Sequence, residues 1–215
     1  MSEADAEIQT ANDTVTLLMD KGIKLLALDF DKTIISIHTG GLWRSSTEKL
    51  TEYIRPCFKN LIKAALDHKL QTCIVTYSMQ PDVIKEFLKL VFPKRQVFIV
   101  KSPSLLSPVV LKQFCSFSDV SKILVRASSS DWADAPTIAT IGKEKHITWC
   151  LSQLYEKKKL IIEKHEIVLF DDDDDNIENA LEFGHHAYEV PDDVTAKHLK
   201  DYVSELEVKK APTFS

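Results

Sequence analysis

No stretch of this chain approaches the length and apolarity of a membrane span. The opening segment, MSEADAEIQT, is acidic and polar and lacks the basic and apolar regions of a secretory signal. Its four cysteines, Cys57, Cys73, Cys115 and Cys150, are scattered without the paired spacing of a metal knuckle. Three of them lie in apolar or amphipathic segments, which predicts buried free thiols in a reducing compartment, cytoplasm or nucleus. The seven histidines, including the adjacent His185 and His186, show no zinc spacing. There is no internal repeat, and Ser128 to Ser130 come without a nucleophile elbow or an ordered triad. A net charge of -5, with no long basic patch and no interleaved aromatics, argues against nucleic acid as a partner. Membrane spans, disulfide scaffolds and zinc modules thus drop out first.

What remains is a chain of 215 residues, 44% hydrophobic and 27% charged, enough for one domain with a sizeable core. Met1 to Asn12 reads as a loose or partly helical lead-in, and Asp13 to Asp20 as a short amphipathic helix ending before Gly22. Apolar strand candidates fall at Ile23–Phe30, Gln71–Val75, Gln96–Val100, Glu166–Phe170 and His186–Val190. Helical patterns fall at Leu50–Leu66, Pro81–Val91, His146–Tyr155, Asn176–Phe183 and from Asp192 to about Val208. This alternation predicts an α/β fold, a three-layer sandwich around a mostly parallel Rossmann-like sheet. Residues 101–142 fit the alternation poorly and read as an insertion or flap, with a possible strand at Lys122–Val125. The expected organisation is a lead-in over 1–22, a domain over 23–208 and a tail over 209–215. Lys157 to Lys159 read as a solvated helix end.

In open α/β sheets, ligands bind beyond the C-terminal ends of the strands. Three polar signals leave strands at that edge: DFDKT after Ile23–Leu28, TYS after Gln71–Val75, and DDDDDN after Glu166–Phe170. Asp29 and Asp31 sit two residues apart, and close carboxylates of this kind call for a cation to offset their repulsion. An oxygen-rich, water-retaining site suits Mg2+. Asp29 can also serve as a covalent nucleophile, with Asp31 as the proton donor and later the base. A polar turn leaving a strand is the bland alternative for the triplet taken alone.

This combination resembles the haloacid dehalogenase superfamily, whose motifs occur here in order from about Ile23 to Val190. The resemblance implies Asp29 as nucleophile and Asp31 as general acid/base. Thr33 steadies their loop and counts, with Ser78, Arg44 and Lys145, among the residues expected around substrate. Thr76, after its apolar strand, corresponds to the threonine that binds a phosphoryl oxygen, with Ser78 as substitute. The family's lysine is implied at Lys143, with Lys145 as the alternative. Lys143 precedes His146 by three residues, as in the superfamily's small magnesium-dependent phosphatases. His146 reads as helix-start packing or capping rather than a base. DDxxxN places Asp172 as principal metal ligand, Asp171 as its supplement and Asn176 as loop support. Mg2+ is then expected on Asp29, Asp172 and the Asp31 backbone carbonyl. Asp173, Asp174 and Asp175 fall in the variable interval, where solvation or capping of the next helix suffices.

The implied activity is Mg2+-dependent hydrolysis of phosphate monoesters. The alternatives are a phosphotransferase or phosphomutase, and a regulatory binding protein without turnover. Little room exists for a large cap between DFDKT and TYS, so a phosphorylated small molecule and a phosphoprotein both stand as substrates. The stretch IHTGGLWR, Ile37 to Arg44, reads as a flap turning at Gly40 and Gly41. In it Trp43 either packs or touches substrate, and Arg44 meets either a substrate anion or a surface acid. The oligomeric state has no signal in the sequence.

Overall fold

The computed structural model describes residues 2–93, 119–127 and 142–207. Five parallel strands form one sheet in the order β3-β2-β1-β4-β5: β1 Leu25–Leu28, β2 Gln71–Thr76, β3 Leu124–Ala127, β4 Ile167–Asp171 and β5 His186–Glu189. Successive side chains on a strand point to opposite faces, and the core divides accordingly. Leu26, Leu28, Ile74, Val168 and Phe170 belong to the larger cluster. Leu25, Ala27, Cys73, Val75, Ile167 and Leu169 belong to the smaller one. Both faces of the central strands are covered, which is why their sequences are almost unbroken apolar runs.

The larger cluster is roofed by α1 Glu3–Asp20, α3 Pro56–Asp67, α4 Pro81–Val91 and α7 Ala196–Glu205. The smaller is roofed by α5 Glu144–Lys158 and α6 Asp174–Phe183. A short helix, α2, spans Thr47–Leu50. The sandwich is the expected α/β class, with the sheet wholly parallel among the described strands.

Several boundaries differ from the sequence reading, each for a local reason. The segment before Asp13 is helical from Glu3, because Ser2 and Asp5 form a reciprocal capping box. Ala11, Thr14, Val15 and Leu18 then recur at helical spacing and are buried, so this helix is packed into the core. The single helix expected over Leu50–Leu66 is broken. Pro56 pushes Arg55 out of helical geometry (φ -73°, ψ 125°), so α3 starts at Pro56 after α2 and a tight turn at Thr51–Tyr53. The strand expected at Lys122–Val125 begins at Leu124, because Asp119 caps a turn over Val120–Lys122. The last helix starts at Ala196 behind a Thr195 cap and ends at Glu205. The strand expected at Gln96–Val100, Cys115, Ser128–Ser130, most of the insertion and the tail lie outside the described residues.

Cys57, Cys73 and Cys150 are buried free thiols, as read from the sequence, and burial pushes the Cys57 thiol up to about 11. Lys157 to Lys159 are exposed at the end of α5. His185 and His186 fall at the start of β5, the edge strand, where His185 bridges the Lys164 carbonyl and Glu144. No described helix is long and apolar enough to cross a membrane.

Phe170 ties the larger face together, with edge-to-face contacts to Phe58, Tyr188 and Tyr202 at 5.6–6.2 Å. It is fully buried, so truncation removes both transfer free energy and packing. Phe170→Ala is expected to cost about 3–5 kcal/mol of stability, measured as a fall in the urea midpoint.

Candidate active site

The C-terminal ends of β1, β2 and β4 converge on an open cavity of about 280 Å³. Its lining includes Asp29, Asp31, Thr76, Ser78, Lys143, Asp171, Asp172 and Asn176. Asp29 follows β1 directly and still donates its backbone N–H to the Phe170 carbonyl, so its direction is fixed by the sheet. Asp171 closes β4, and Thr76 closes β2. Lys143 stands immediately before α5.

The centre of the site is a buried charge cluster. Lys143 Nζ lies 2.5 Å from Asp29 Oδ1 and 3.6 Å from Asp171 Oδ2, and all three side chains are almost completely buried. Carboxylate oxygens of Asp29, Asp171 and Asp172 come within 4.8 Å of one another, a set able to hold a metal ion. Burial raises the carboxyls of Asp29, Asp171 and Asp172 above their ordinary range, with Lys143 opposing it. For Lys143 burial works against the charge, but Asp29 and Asp171 outweigh it, and the ammonium stays protonated. Asp171 Oδ1 accepts from Asn176 Nδ2 (3.1 Å) and from the Asp173 backbone N–H (3.2 Å). Its buried Oδ2 has no hydrogen-bond partner among the described residues.

The DxDxT loop makes one wide turn over Phe30–Ile34, closed by Ile35 N–H to the Phe30 carbonyl at 3.1 Å. Lys32 takes the left-handed conformation (φ 54°) within it. The Asp31 carboxylate stands apart from the clustered acids. It faces the flap, accepting from the Thr39 N–H (2.9 Å) and the Thr39 hydroxyl (2.7 Å), with His38 Nδ1 at 3.2 Å.

The flap is pinned rather than free. Gly40 and Gly41 have positive φ (67° and 76°), as their turn requires. Gly41 accepts from the Met79 N–H at 3.1 Å, and the Gln80 amide bonds both the N–H and the carbonyl of Trp43. Trp43 packs edge-on to Tyr53 and donates its indole N–H to the Ser46 carbonyl, so its role is packing.

Three expected residues do not line the cavity. Thr33 is fully buried behind the loop, 3.5 Å from Asp172 Oδ1, where it positions rather than contacts. Lys145 is half-buried and off the cavity. Two residues along a helix rotate a side chain by about 200°, which separates it from Lys143. Arg44 is exposed at the end of the flap and off the cavity.

Within the acidic run, Asp173 caps α6 by accepting from the Asn176 N–H at 3.0 Å, and Asp174 and Asp175 are exposed in its first turn. Tyr77, His38 and Thr39 are the site neighbours that sequence reasoning missed. Tyr77 and His38 line the cavity, and Thr39 holds Asp31. No motif marks them: Tyr77 acts through partners distant in sequence, and His38 and Thr39 reach Asp31 through the turn of the loop.

No family model and no curated protein matches the chain. Among solved structures it is similar to the crystal structure of the N-terminal part of the protein BF1531 from Bacteroides fragilis, containing a phosphatase domain complexed with Mg. The TM-score is 0.50 at 16% identity, over 94% of this chain and 44% of that one. The chain thus spans less than half of that structure, and at this identity the likeness concerns the fold.

His146, fully buried beside Tyr77, is pushed down to about 3 by burial, reinforced by Lys143 and Arg126. The unfolded imidazole takes up a proton below its ordinary value of 6.5, whereas the folded one resists until about 3. Falling pH through that window therefore favours unfolding. In His146→Gln the drop in urea midpoint from about pH 7 to about pH 5 should be smaller than in the wild type.

Proposed function

We propose that this chain is a Mg2+-dependent phosphohydrolase of the haloacid dehalogenase type, cleaving phosphate monoesters through an aspartyl phosphate on Asp29. The observation that carries this reading is the buried acid cluster, in which Asp171 Oδ2 makes no hydrogen bond among the described residues and faces Lys143 Nζ at 3.6 Å. Three carboxylates against one ammonium leave an excess of about two negative charges. A divalent cation fits that charge and that oxygen. The all-oxygen donor set suits a hard ion such as Mg2+, and the Mg-complexed phosphatase domain among the structural neighbours supports the same choice. Asp29, Asp171 and Asp172 would hold the ion with the Asp31 carbonyl, while Asn176 orients Asp171. When bound, it supplies positive charge to the cluster and to the phosphoryl oxygens.

The remaining chemistry belongs to the chain's own side chains. An Asp29 oxygen bonds to phosphorus as the ester P–O bond breaks, and the departing oxygen takes its proton from Asp31. Asp31 then takes a proton from water, whose oxygen attacks phosphorus and releases Asp29. Lys143 offsets charge on the phosphoryl group and on the nucleophile. Thr76 Oγ1 accepts from the Ser78 N–H at 3.1 Å, which leaves its own proton free for a phosphoryl oxygen. The Thr39 bonds hold Asp31 on the leaving-group side, away from the acid cluster. The opening admits either a small phosphorylated molecule or a phosphorylated protein segment.

Asp29→Asn is expected to lower phosphate release at least about a thousandfold, with the fold retained by circular dichroism. Chelation should abolish wild-type turnover and added Mg2+ should restore it. Undiminished release from the variant, or from chelated enzyme, would remove the nucleophile or the metal from the scheme.

A further inference from the structure

Tyr77 follows the strand-end Thr76 and is 38% exposed, with the rest of its ring turned inward. Lys143 Nζ lies over that ring, 4.0 Å from its centroid. The ammonium has three donors and three surroundings: Asp29, Asp171 and the Tyr77 face. The phenol donates to Asn176 Oδ1 at 3.2 Å, and the same amide donates through Nδ2 to Asp171. The inner ring edge meets His146 in a T-shaped contact at 5.4 Å.

One side chain therefore touches both polar groups that flank Asp171. We infer that Tyr77 is a positioning residue of this site: its ring face holds the Lys143 ammonium against Asp29, and its hydroxyl sets the Asn176 amide that orients Asp171. The two arms differ in chemistry. The ring arm depends on the negative face of an aromatic system and persists in any ring of similar size. The hydroxyl arm is one neutral hydrogen bond, and Asp171 independently favours the same amide orientation. The ring arm consequently carries most of the effect. A hydrocarbon of similar volume fills the space without attracting the ammonium, which separates positioning from packing. Without the pull of the ring face, the ammonium is held less firmly against Asp29.

The kinetic arm of the test rests on the phosphatase reading, whereas the spectroscopic arm does not. Tyr77→Phe, Tyr77→Leu and wild type are compared with para-nitrophenyl phosphate and Mg2+. Tyr77→Phe should lose about threefold in kcat, and Tyr77→Leu about tenfold or more below Tyr77→Phe. KM should move less than kcat in both. By NMR, the Lys143 ε-methylene protons should be ring-shifted upfield in wild type and Tyr77→Phe and unshifted in Tyr77→Leu. Equal kcat for the Phe and Leu variants, or ε-methylene shifts unmoved by Tyr77→Leu, overturns the inference. A wild type that releases no phosphate defeats the phosphatase reading, and the ring shift still decides whether Tyr77 holds Lys143.

Discussion

The structure depends on keeping one ammonium ion in a nearly dry place. Lys143 is 3% exposed and its desolvation alone would favour the neutral amine. Asp29 and Asp171 reverse that preference, but they bring more negative charge than one lysine offsets, and Asp172 adds to it. The cluster is stable as a unit only when each member is held at a set distance. That requirement explains why its members come from a sheet rather than from loops alone. Asp29 and Asp171 continue β1 and β4, adjacent parallel strands whose register pairs Leu28 with Phe170.

The parallel sheet supplies this geometry at modest cost, because each strand ends at the same edge. The apolar faces beneath do the holding: the phenylalanine and tyrosine rings around Phe170 lock β4 from one side, and α5 and α6 pack on the other. The same α5 that covers the smaller core delivers Lys143 at its start. Core and site are thereby one construction, so that a change in helix packing is felt as a change in charge spacing.

Much of this was legible before any tertiary information. Almost unbroken apolar strands between helices announced a sheet covered on both faces, and Asp29, Thr76 and Asp171 fall at strand ends; Lys143 and Asn176, which the family resemblance supplied, line the same cavity. The errors have local causes. The partner of the Asp31 carboxylate, Thr39, had no signal, because it depends on a turn that includes the left-handed Lys32. Lys145 and Arg44 were plausible by charge alone, and charge says nothing about which way a side chain faces. The Pro56 break in the expected helix was readable from the proline rule and was masked by a strong apolar period.

The acidic run shows the division most clearly. Its composition and its place after an apolar strand by themselves determined that a carboxylate-rich loop would leave the sheet at the ligand-binding edge, because strand period and chain continuity are local properties. Residue type does not distinguish the five, and only the DDxxxN spacing set Asp171 and Asp172 apart from the three that follow. The tertiary structure decided the partners: Lys143 for Asp171, the Asp29 and Asp171 oxygens for Asp172, and the helix cap for Asp173 among the three bystanders, leaving Asp174 and Asp175 in solvent. Those assignments depend on groups 28 or more residues away in sequence for Asp171 and Asp172, brought near by packing of strands and helices. The same holds for Tyr77: its neighbours Lys143 and Asn176 become neighbours only when β2, α5 and α6 meet at one edge.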